Sequence, residues 1–258
     1  MTVAGSLRVM EASARVYRRT WRGSVISTFL NPVLYLLAMG VGLGELVDEG
    51  TGGATLELPY LTFLAPGLLA AAAMQAAAVD ASYPVMAAVK WRKTFEATLS
   101  TPIGVQELLF GHLSWVTVRI TFVATVFAAI MTAFGATTVT EGMAAVPPAV
   151  LTGLAFAAAI TAYTARLKNE TGLASLFRFG IVPLFLFSGT FFPIEQLPDY
   201  LEPLAYLTPL WHGVELCRGL ALGLEYTVHP LLSVGYLLAW SGLGAYLSVG
   251  ALRRRLIA

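Results

Sequence analysis

The chain has 258 residues, of which 57% are hydrophobic and only 12% are charged, against about 25% charged residues in an average soluble domain. This composition predicts an integral membrane protein. The net charge of +1 provides no basic surface for nucleic acid, and the single cysteine, Cys217, excludes an intramolecular disulfide and a cysteine-based metal cluster.

The N-terminal segment, residues 1–22, carries five arginines ahead of the first long apolar run. Its apolar residues recur at spacings of three and four: Leu7, Met10, Ala14, Tyr17 and Trp21. Such a stripe, with the arginines turned away from it, predicts an amphipathic helix that lies in the membrane interface. The alternative is an unstructured basic tail that only sets the topology.

Six apolar runs are long enough to cross a hydrocarbon core of about 30 Å. They predict an all-α integral membrane fold with six transmembrane helices, at about residues 23–44, 58–80, 108–136, 143–165, 172–192 and 230–252. Asp80 and Arg119 lie near the cytoplasmic ends of the second and third runs, and the run at 172–192 contains Arg178, which can extend to the interface. We treat residues 1–258 as a single transmembrane domain.

The links between these runs alternate in charge. Basic residues dominate before the first run, after the second and fourth runs, and at the C-terminus, where Arg253, Arg254 and Arg255 lie. The links after the first and third runs carry only acidic residues: Glu45, Asp48, Glu49, Glu57 and Glu141. By the positive-inside rule, both termini are cytoplasmic, which predicts a multi-pass protein of the cytoplasmic (inner or plasma) membrane.

The link between the second and third runs is longer than a simple connection requires. It predicts a short helix with apolar and charged sides: Trp91, Phe95 and Leu99 on one, Lys90, Arg92, Lys93 and Glu96 on the other. Thr101 followed by Pro102 predicts the start of the next helix. The element is either a docking surface for a soluble partner or a solvated positive-inside loop.

Several polar residues fall inside the apolar runs, where a charge at the bilayer centre costs about 2.5–3.5 kcal/mol. Asp80 and Arg119 both lie toward the cytoplasmic side, and we expect a structural ion pair, with a gating role as the alternative. Asn31 beside Pro32 predicts a kink in the first span. The small residues of LLAAAAMQAAA in the second span predict a close helix contact, which suits a dimer interface.

The segment 193–225 is too apolar for a free loop, and prolines at 193, 198, 203 and 209 interrupt it. It predicts short re-entrant helices that enter the outer leaflet and return, sheltered by other spans. A surface amphipathic hairpin is the alternative. Glu215 and Arg218 are three residues apart and are expected to neutralise each other.

Two stretches, RKTFEATLSTPIGVQELLFGHLSW and LFLFSGTFFPIEQLPDYLEPLAYLTPLWHGVELCRGL, resemble the permease subunits of type-2 ATP-binding-cassette (ABC) exporters. The resemblance is to the branch with nodulation-factor (lipo-oligosaccharide) and daunorubicin-type drug exporters, and it extends over nearly the whole chain. It implies a coupling helix at 90–104 that docks into an ATPase. The residues it assigns there are Trp91, Arg92, Phe95, Glu96, Thr98, Leu99, Thr101, Pro102 and Gly104.

The resemblance also implies a path along a permease dimer interface, lined by the first, second and fifth spans. The candidate lining residues are Asn31, Tyr35, Gln75, Phe191 and Phe192; for each of the first three, an interhelical hydrogen bond without substrate contact is the alternative. The cargo implied is amphipathic, a lipid-linked glycan, a lipo-oligosaccharide or a hydrophobic drug. The partners implied are a second permease chain, as a homodimer or heterodimer, and two copies of an ATPase.

No GxxxxGK[ST] phosphate loop occurs in the chain, so ATP and Mg²⁺ are expected on the separate ATPase, and no cofactor or metal is expected here. The three histidines show no HExxH spacing and no serine lies in a GxSxG elbow, which argues against an enzyme. An ion-coupled carrier is the remaining rival, although acidic midplane residues and repeated halves are missing from the sequence.

Overall fold

The computed structural model describes residues 3–49 and 58–257, and all regular structure in these ranges is helical. In chain order the α-helices are α1 (Val3–Tyr35), α2 (Gly44–Glu49), α3 (Tyr60–Ala81), α4 (Tyr83–Met86), α5 (Thr94–Leu99), α6 (Val105–Ala133), α7 (Val139–Ala144), α8 (Val146–Arg166), α9 (Thr171–Leu176), α10 (Val182–Phe187), α11 (Glu202–Tyr206), α12 (Pro209–Leu222) and α13 (Pro230–Leu256). Three π-helical segments, Leu36–Gly42, Ala87–Trp91 and Phe177–Ile181, join neighbouring helices, and a 3-10 turn covers Ile194–Gln196. Glu57, counted among the acidic residues above, lies outside the described residues.

Helices long and apolar enough to cross a membrane account for most of the described chain. Five such segments are Trp21–Glu49, Tyr60–Trp91, Val105–Ala133, Val139–Arg166 and Pro230–Leu256. The sixth apolar helix, Thr171–Phe187, is shorter and about at the lower limit of length for a crossing helix. The predicted all-α integral membrane fold is confirmed.

The N-terminal helix continues directly into the first span. We expected an interfacial helix that ends near residue 22, but α1 is unbroken from Val3 to Tyr35. Its first turns pack on α6, where Gly111 has no side chain and admits the Ser6 carbonyl and the Val9 side chain. The predicted apolar stripe is divided as a result, because Tyr17 contacts Trp115 of α6 while Leu7 and Trp21 remain exposed.

The centre of the bundle is α3, and its small residues bring the other helices close. Ala70, Ala71 and Ala73 are fully buried inside the single chain. Gly153 of α8 lies so close that a Cβ atom there would be 3.0 Å from the Ala73 carbonyl oxygen. The small-residue run therefore forms the α3–α8 contact within one chain. Ala72, Gln75 and Ala76 of the run remain partly exposed, and a dimer contact there stays a prediction.

The charged links gather at opposite ends of the bundle. At one end, which we call the basic end, the Lys90 ammonium donates to the Lys168 carbonyl at 2.9 Å, and the Arg255 guanidinium donates to the carbonyls of Ala165 and Leu167. At the opposite end, the acidic end, the Asp48 carboxylate accepts a hydrogen bond from the Tyr60 backbone N–H at 2.9 Å. These contacts fix the direction of the helices relative to the two ends.

The contact of α8 with α13 depends on Gly244, because a Cβ atom there would lie 2.6 Å from the Ala159 backbone nitrogen. We expect Gly244→Ala to destabilise the fold by about 1–3 kcal/mol through overpacking, measured as a lower thermal unfolding midpoint in detergent. Gly242→Ala is the matched control, since no atom lies within 4 Å of its added Cβ. Equal midpoints for the two variants would contradict this packing.

Candidate functional site

Two adjoining cavities lie on one side of the bundle, between α1, α3 and α10. The first, which we call the amide cavity, has a volume of about 180 Å³ and includes Asn31, Tyr35 and Gln75 in its walls. The second, the aromatic cavity, has a volume of about 620 Å³ and includes Phe191 and Phe192. The structure therefore brings all five predicted path residues onto the walls of two neighbouring cavities.

Aromatic rings form the boundary between the cavities. Tyr35 and Phe185 line both, and their ring centroids are 5.8 Å apart in an edge-to-face arrangement. Phe185 in turn meets the Phe191 ring at 4.9 Å and 89°. The Tyr60 hydroxyl donates to the Phe191 carbonyl at 3.1 Å, which ties this wall to the start of α3. These rings therefore form the wall that the two cavities share.

Irregular backbone in the first span places Tyr35 at this boundary. Pro32 lies inside α1 and cannot donate a backbone hydrogen bond, and the helix changes to π-helical geometry at Leu36–Gly42. The Leu43 N–H bonds to the Ala38 carbonyl at 3.1 Å, five residues back. π-Helical turns inside α-helices occur frequently at functional sites. Helix α1 thus continues through Asn31 and Pro32, where we expected a kink, and the irregular geometry begins at Leu36.

An ion pair stands at the edge of the amide cavity. The Arg119 Nε donates to the Asp80 Oδ2 at 3.2 Å, and both side chains are 18% exposed. The Arg119 guanidinium also lies 4.5 Å from the centre of the Tyr17 ring, and Arg119 lines the cavity. One side chain thus connects α1, α3 and α6, and its partner Asp80 neutralises the charge.

Arg218, in contrast, makes no direct ion pair with Glu215, although the negative charge of Glu215 still favours the charged guanidinium. Glu215 accepts a hydrogen bond from the Thr227 backbone N–H instead. The buried Arg218 guanidinium donates through Nε to the Phe63 carbonyl at 3.1 Å and through Nη2 to the Thr190 carbonyl at 2.9 Å. It also stacks on the Phe63 ring at 3.7 Å. Backbone carbonyls, which the sequence pattern does not reveal as partners, take the place of the carboxylate.

These contacts hold the turn that carries Phe191. Gly67 of α3 makes room for it, since a Cβ atom there would be 2.9 Å from the Thr190 carbonyl and 3.0 Å from the Arg218 Nη2. The Ser188 hydroxyl lies 3.0 Å from that of Thr208, which also caps α12. Gly67 is a functional candidate that sequence reasoning missed, because nothing in the local pattern connects it to Arg218.

The segment 193–225 folds into the helical pieces that its prolines predict. The 3-10 turn and α11 pack around Trp211 in a small cluster with Ile194, Leu197 and Ala205. Helix α12 then lies against α3 and α8, and most of its residues are buried. His212 lies 3.0 Å from the Ser233 hydroxyl of α13. Other helices of the chain shelter the irregular backbone at these points.

The predicted coupling segment is divided into a turn and a short helix. Lys93 has left-handed backbone (φ 50°), which separates the π-helical turn that ends at Trp91 from α5. Phe95 and Leu99 pack toward the bundle, and the Phe95 ring meets the His112 ring at 6.2 Å. Trp91 is 52% exposed and does not share their face, so the predicted three-residue stripe is wrong.

Residues after α5 form a turn rather than the start of a helix at Thr101 and Pro102. The Thr101 hydroxyl and N–H both bond back to the Thr98 carbonyl, at 2.6 and 3.1 Å. The next helix begins at Val105, because the Glu107 carboxylate accepts from the Gly104 N–H at 3.0 Å and so caps the helix. Glu96 lies on α5, 3.6 Å from Lys93, while Arg92 is exposed.

Within residues 3–49 and 58–257, no group of three or more His, Cys, Asp or Glu side chains is placed so that it could hold a metal ion.

Comparison with known proteins places the whole of this region inside one family. A family model described as "ABC-2 type transporter" matches residues 8–222. The chain is 29% identical over 241 residues to nodulation protein J of Rhizobium meliloti (strain 1021), with 93% of this chain and 90% of that protein covered. It is 30% identical over 253 residues to nodulation protein J of Rhizobium leguminosarum bv. trifolii, with 94% and 93% covered. The inner membrane transport permease YadH of Escherichia coli (strain K12) is 22% identical over 233 residues, with 87% and 89% covered.

The Asp80–Arg119 pair generates a test by a double-mutant cycle. We expect Asp80→Leu and Arg119→Leu each to lower the thermal unfolding midpoint, because each leaves one charge unpaired in the membrane, at a cost of up to about 3 kcal/mol. The double variant should recover most of that loss. Arg178→Leu, which removes an exposed arginine, is the control and should change little. Additive losses in the double variant would show that the two side chains act independently.

Proposed function

We propose a function for this chain from one premise: it belongs to the ABC-2 type transporter family. The chain is the membrane-spanning subunit of an ATP-driven exporter. It moves an amphipathic substrate, a lipid-linked glycan, a lipo-oligosaccharide or a hydrophobic drug, outward across the cytoplasmic membrane. The observation that carries this proposal is the pair of adjoining cavities, whose walls include the five predicted path residues.

A separate ATPase chain supplies the energy, and α5 is the element that receives it. Phe95 and Leu99 fix α5 to the bundle, while Trp91, Arg92 and Lys93 remain exposed for contact with the partner. Phe95 contacts His112 of α6, the helix that also carries Arg119 at the amide cavity. Because a helix transmits displacement along its axis, movement of α5 by the ATPase moves a wall of the cavity.

The working unit contains two permease chains and two ATPases. Apolar side chains of the first span beside the cavities are exposed in the single chain, among them Ile26, Phe29, Leu30, Leu34 and Leu37. A second copy that covers this side encloses the cavities between the chains. By the positive-inside rule, the basic end with both termini faces the cytoplasm, and segment 193–225 lies at the outer side.

An ion-coupled carrier is the second candidate, favoured by the Asp80 carboxylate at the edge of the amide cavity. Arg119 already neutralises the Asp80 carboxylate, and this pairing makes Asp80 less suitable as a binding site for an ion or a proton. Transport that stops with a proton uncoupler but persists without the ATPase would favour the carrier.

The proposal predicts that α5 couples the permease chain to the ATPase chain. We expect Glu96→Arg to lower the ATPase activity of the permease–ATPase complex at least tenfold in lipid nanodiscs, because a reversed charge disturbs the docking surface without removing a core contact. Phe95→Ala should have the same effect by loosening α5 from α6. The thermal unfolding midpoint of the Glu96→Arg permease should not change.

Glu170→Arg is the matched control, since it makes the same charge reversal at an exposed position of the basic end outside α5. Full activity in that control, with loss in Glu96→Arg, supports α5 as the coupling element. If Glu96→Arg and Phe95→Ala both retain wild-type activity, or if no ATPase copurifies, α5 is only a basic-end loop.

A further inference from the structure

We infer that the two cavities form one amphiphile site with a fixed polarity, in which the amide cavity takes a neutral, hydroxyl-bearing headgroup and the aromatic cavity takes the hydrocarbon part. This inference rests on the proposed function and extends it to the way in which the substrate lies in the chain. It follows from unused hydrogen-bonding groups, from local charge and from the order of the cavities along the bundle.

The amide cavity holds hydrogen-bonding groups that no other part of the described chain satisfies. The side-chain amides of Asn31 and Gln75 and the Tyr35 hydroxyl line it, and none of the three bonds to another described residue. These groups lie in membrane-spanning helices, where lipid provides no partner and an unpaired polar group is costly. A bound molecule with polar atoms satisfies them.

The chemistry of these groups selects hydroxyls. Amides and hydroxyls both donate and accept, as a hydroxyl-rich headgroup requires. Arg119 could attract an anion, but its Nε lies 3.2 Å from the Asp80 carboxylate, so the wall carries a neutralised pair rather than a free cation. The cavity volume of about 180 Å³ leaves room for a compact headgroup.

The aromatic cavity has the opposite character. It is more than three times larger, at about 620 Å³, and Met39, Leu43, Val47 and Leu186 contribute to its mostly apolar walls. Its size and walls suit a hydrocarbon chain, whose burial needs no hydrogen bonds. Tyr35 and Phe185, shared by both cavities, lie where the headgroup joins the chain.

The order of the cavities gives the site its direction. Along α3, Tyr60 of the aromatic cavity lies at the acidic end, and Gln75 of the amide cavity lies 15 residues further, or about 22 Å toward the basic end. A lipid in the leaflet at the basic end has the same direction, because its headgroup lies at that end and its chain points toward the acidic end. The site therefore accepts an amphiphile from that leaflet without turning it over.

Photoaffinity labelling of the permease alone, in nanodiscs, tests this polarity. The probes are two decyl glucosides, one with a diazirine on the sugar and one with a diazirine at the chain end, and labelled residues are found by peptide mass spectrometry. We expect the sugar probe to label α3 and α6 near Gln75 and Val123, and the chain probe to label Met39, Leu186 or Phe192. Unlabelled decyl glucoside should compete at least fivefold better than decyl phosphate.

Variants connect the labelling to the proposed groups. Asn31→Leu and Gln75→Leu should each reduce sugar-probe labelling at least fivefold, whereas Thr121→Val, a control at an exposed position whose hydroxyl bonds within its own helix, should not. Asn31 is exposed, so its replacement leaves the packed core intact.

Three outcomes would overturn the inference. The two probes could label each other's expected positions, or the labels could spread over the lipid-facing surface and not respond to the variants. The third is that neither probe labels the cavities, because a second copy of the chain fills the amide cavity. No ATPase takes part in this experiment. If the labelling is as expected but the coupling test fails, the amphiphile site stands and the proposed function is wrong. If the coupling test succeeds but the labelling is not as expected, only the polarity of the site is wrong.

Discussion

The absence of water from the hydrocarbon core is the constraint on which this structure depends, because every polar group there needs a partner from protein or ligand. Backbone groups meet the requirement through helices. The Arg218 guanidinium meets it through the carbonyls of Phe63 and Thr190, and Asp80 and Arg119 meet it through each other. Asn31 and Gln75 have no such partner among the described residues, and neither do the buried hydroxyls of Thr161 and Thr190. Asn31 and Gln75 locate the site because both line a cavity.

Rigid and adaptable parts of the chain are separated in a way that suits transport. The contact of α3 with α8 is made by residues with little or no side chain, and such close backbone contacts resist deformation. The cavities instead border the π-helical turn at Leu36–Gly42 and the short helix α10, which follows another π-helical segment, Phe177–Ile181. The π-helical segments and α10 are therefore better suited to move than the packed α3–α8 contact. Helix α6, which also lines the amide cavity, connects this region to α5 at the basic end.

Apolar runs were sufficient to predict the all-α membrane class and the order of the apolar helices, because lipid imposes length and composition on a span directly. The path residues were predicted with help from family resemblance, and their grouping around two cavities could not be read from spacing. The partners of Arg218 were missed because backbone carbonyls leave no trace in the sequence. The stripe through Trp91 was wrong because it assumed one helix where the left-handed backbone at Lys93 makes two elements.

The central claim is that α5 docks on an ATPase at the basic end, and contact can be measured directly by site-specific photo-cross-linking in native membranes. A benzoylphenylalanine in place of the exposed Trp91 should cross-link to an ATP-binding-cassette ATPase identified by mass spectrometry, and the yield should change when ATP is trapped with vanadate. The same group at position 200, exposed in segment 193–225, should give no such product. Cross-links from position 91 to lipid alone, with or without nucleotide, would contradict the account.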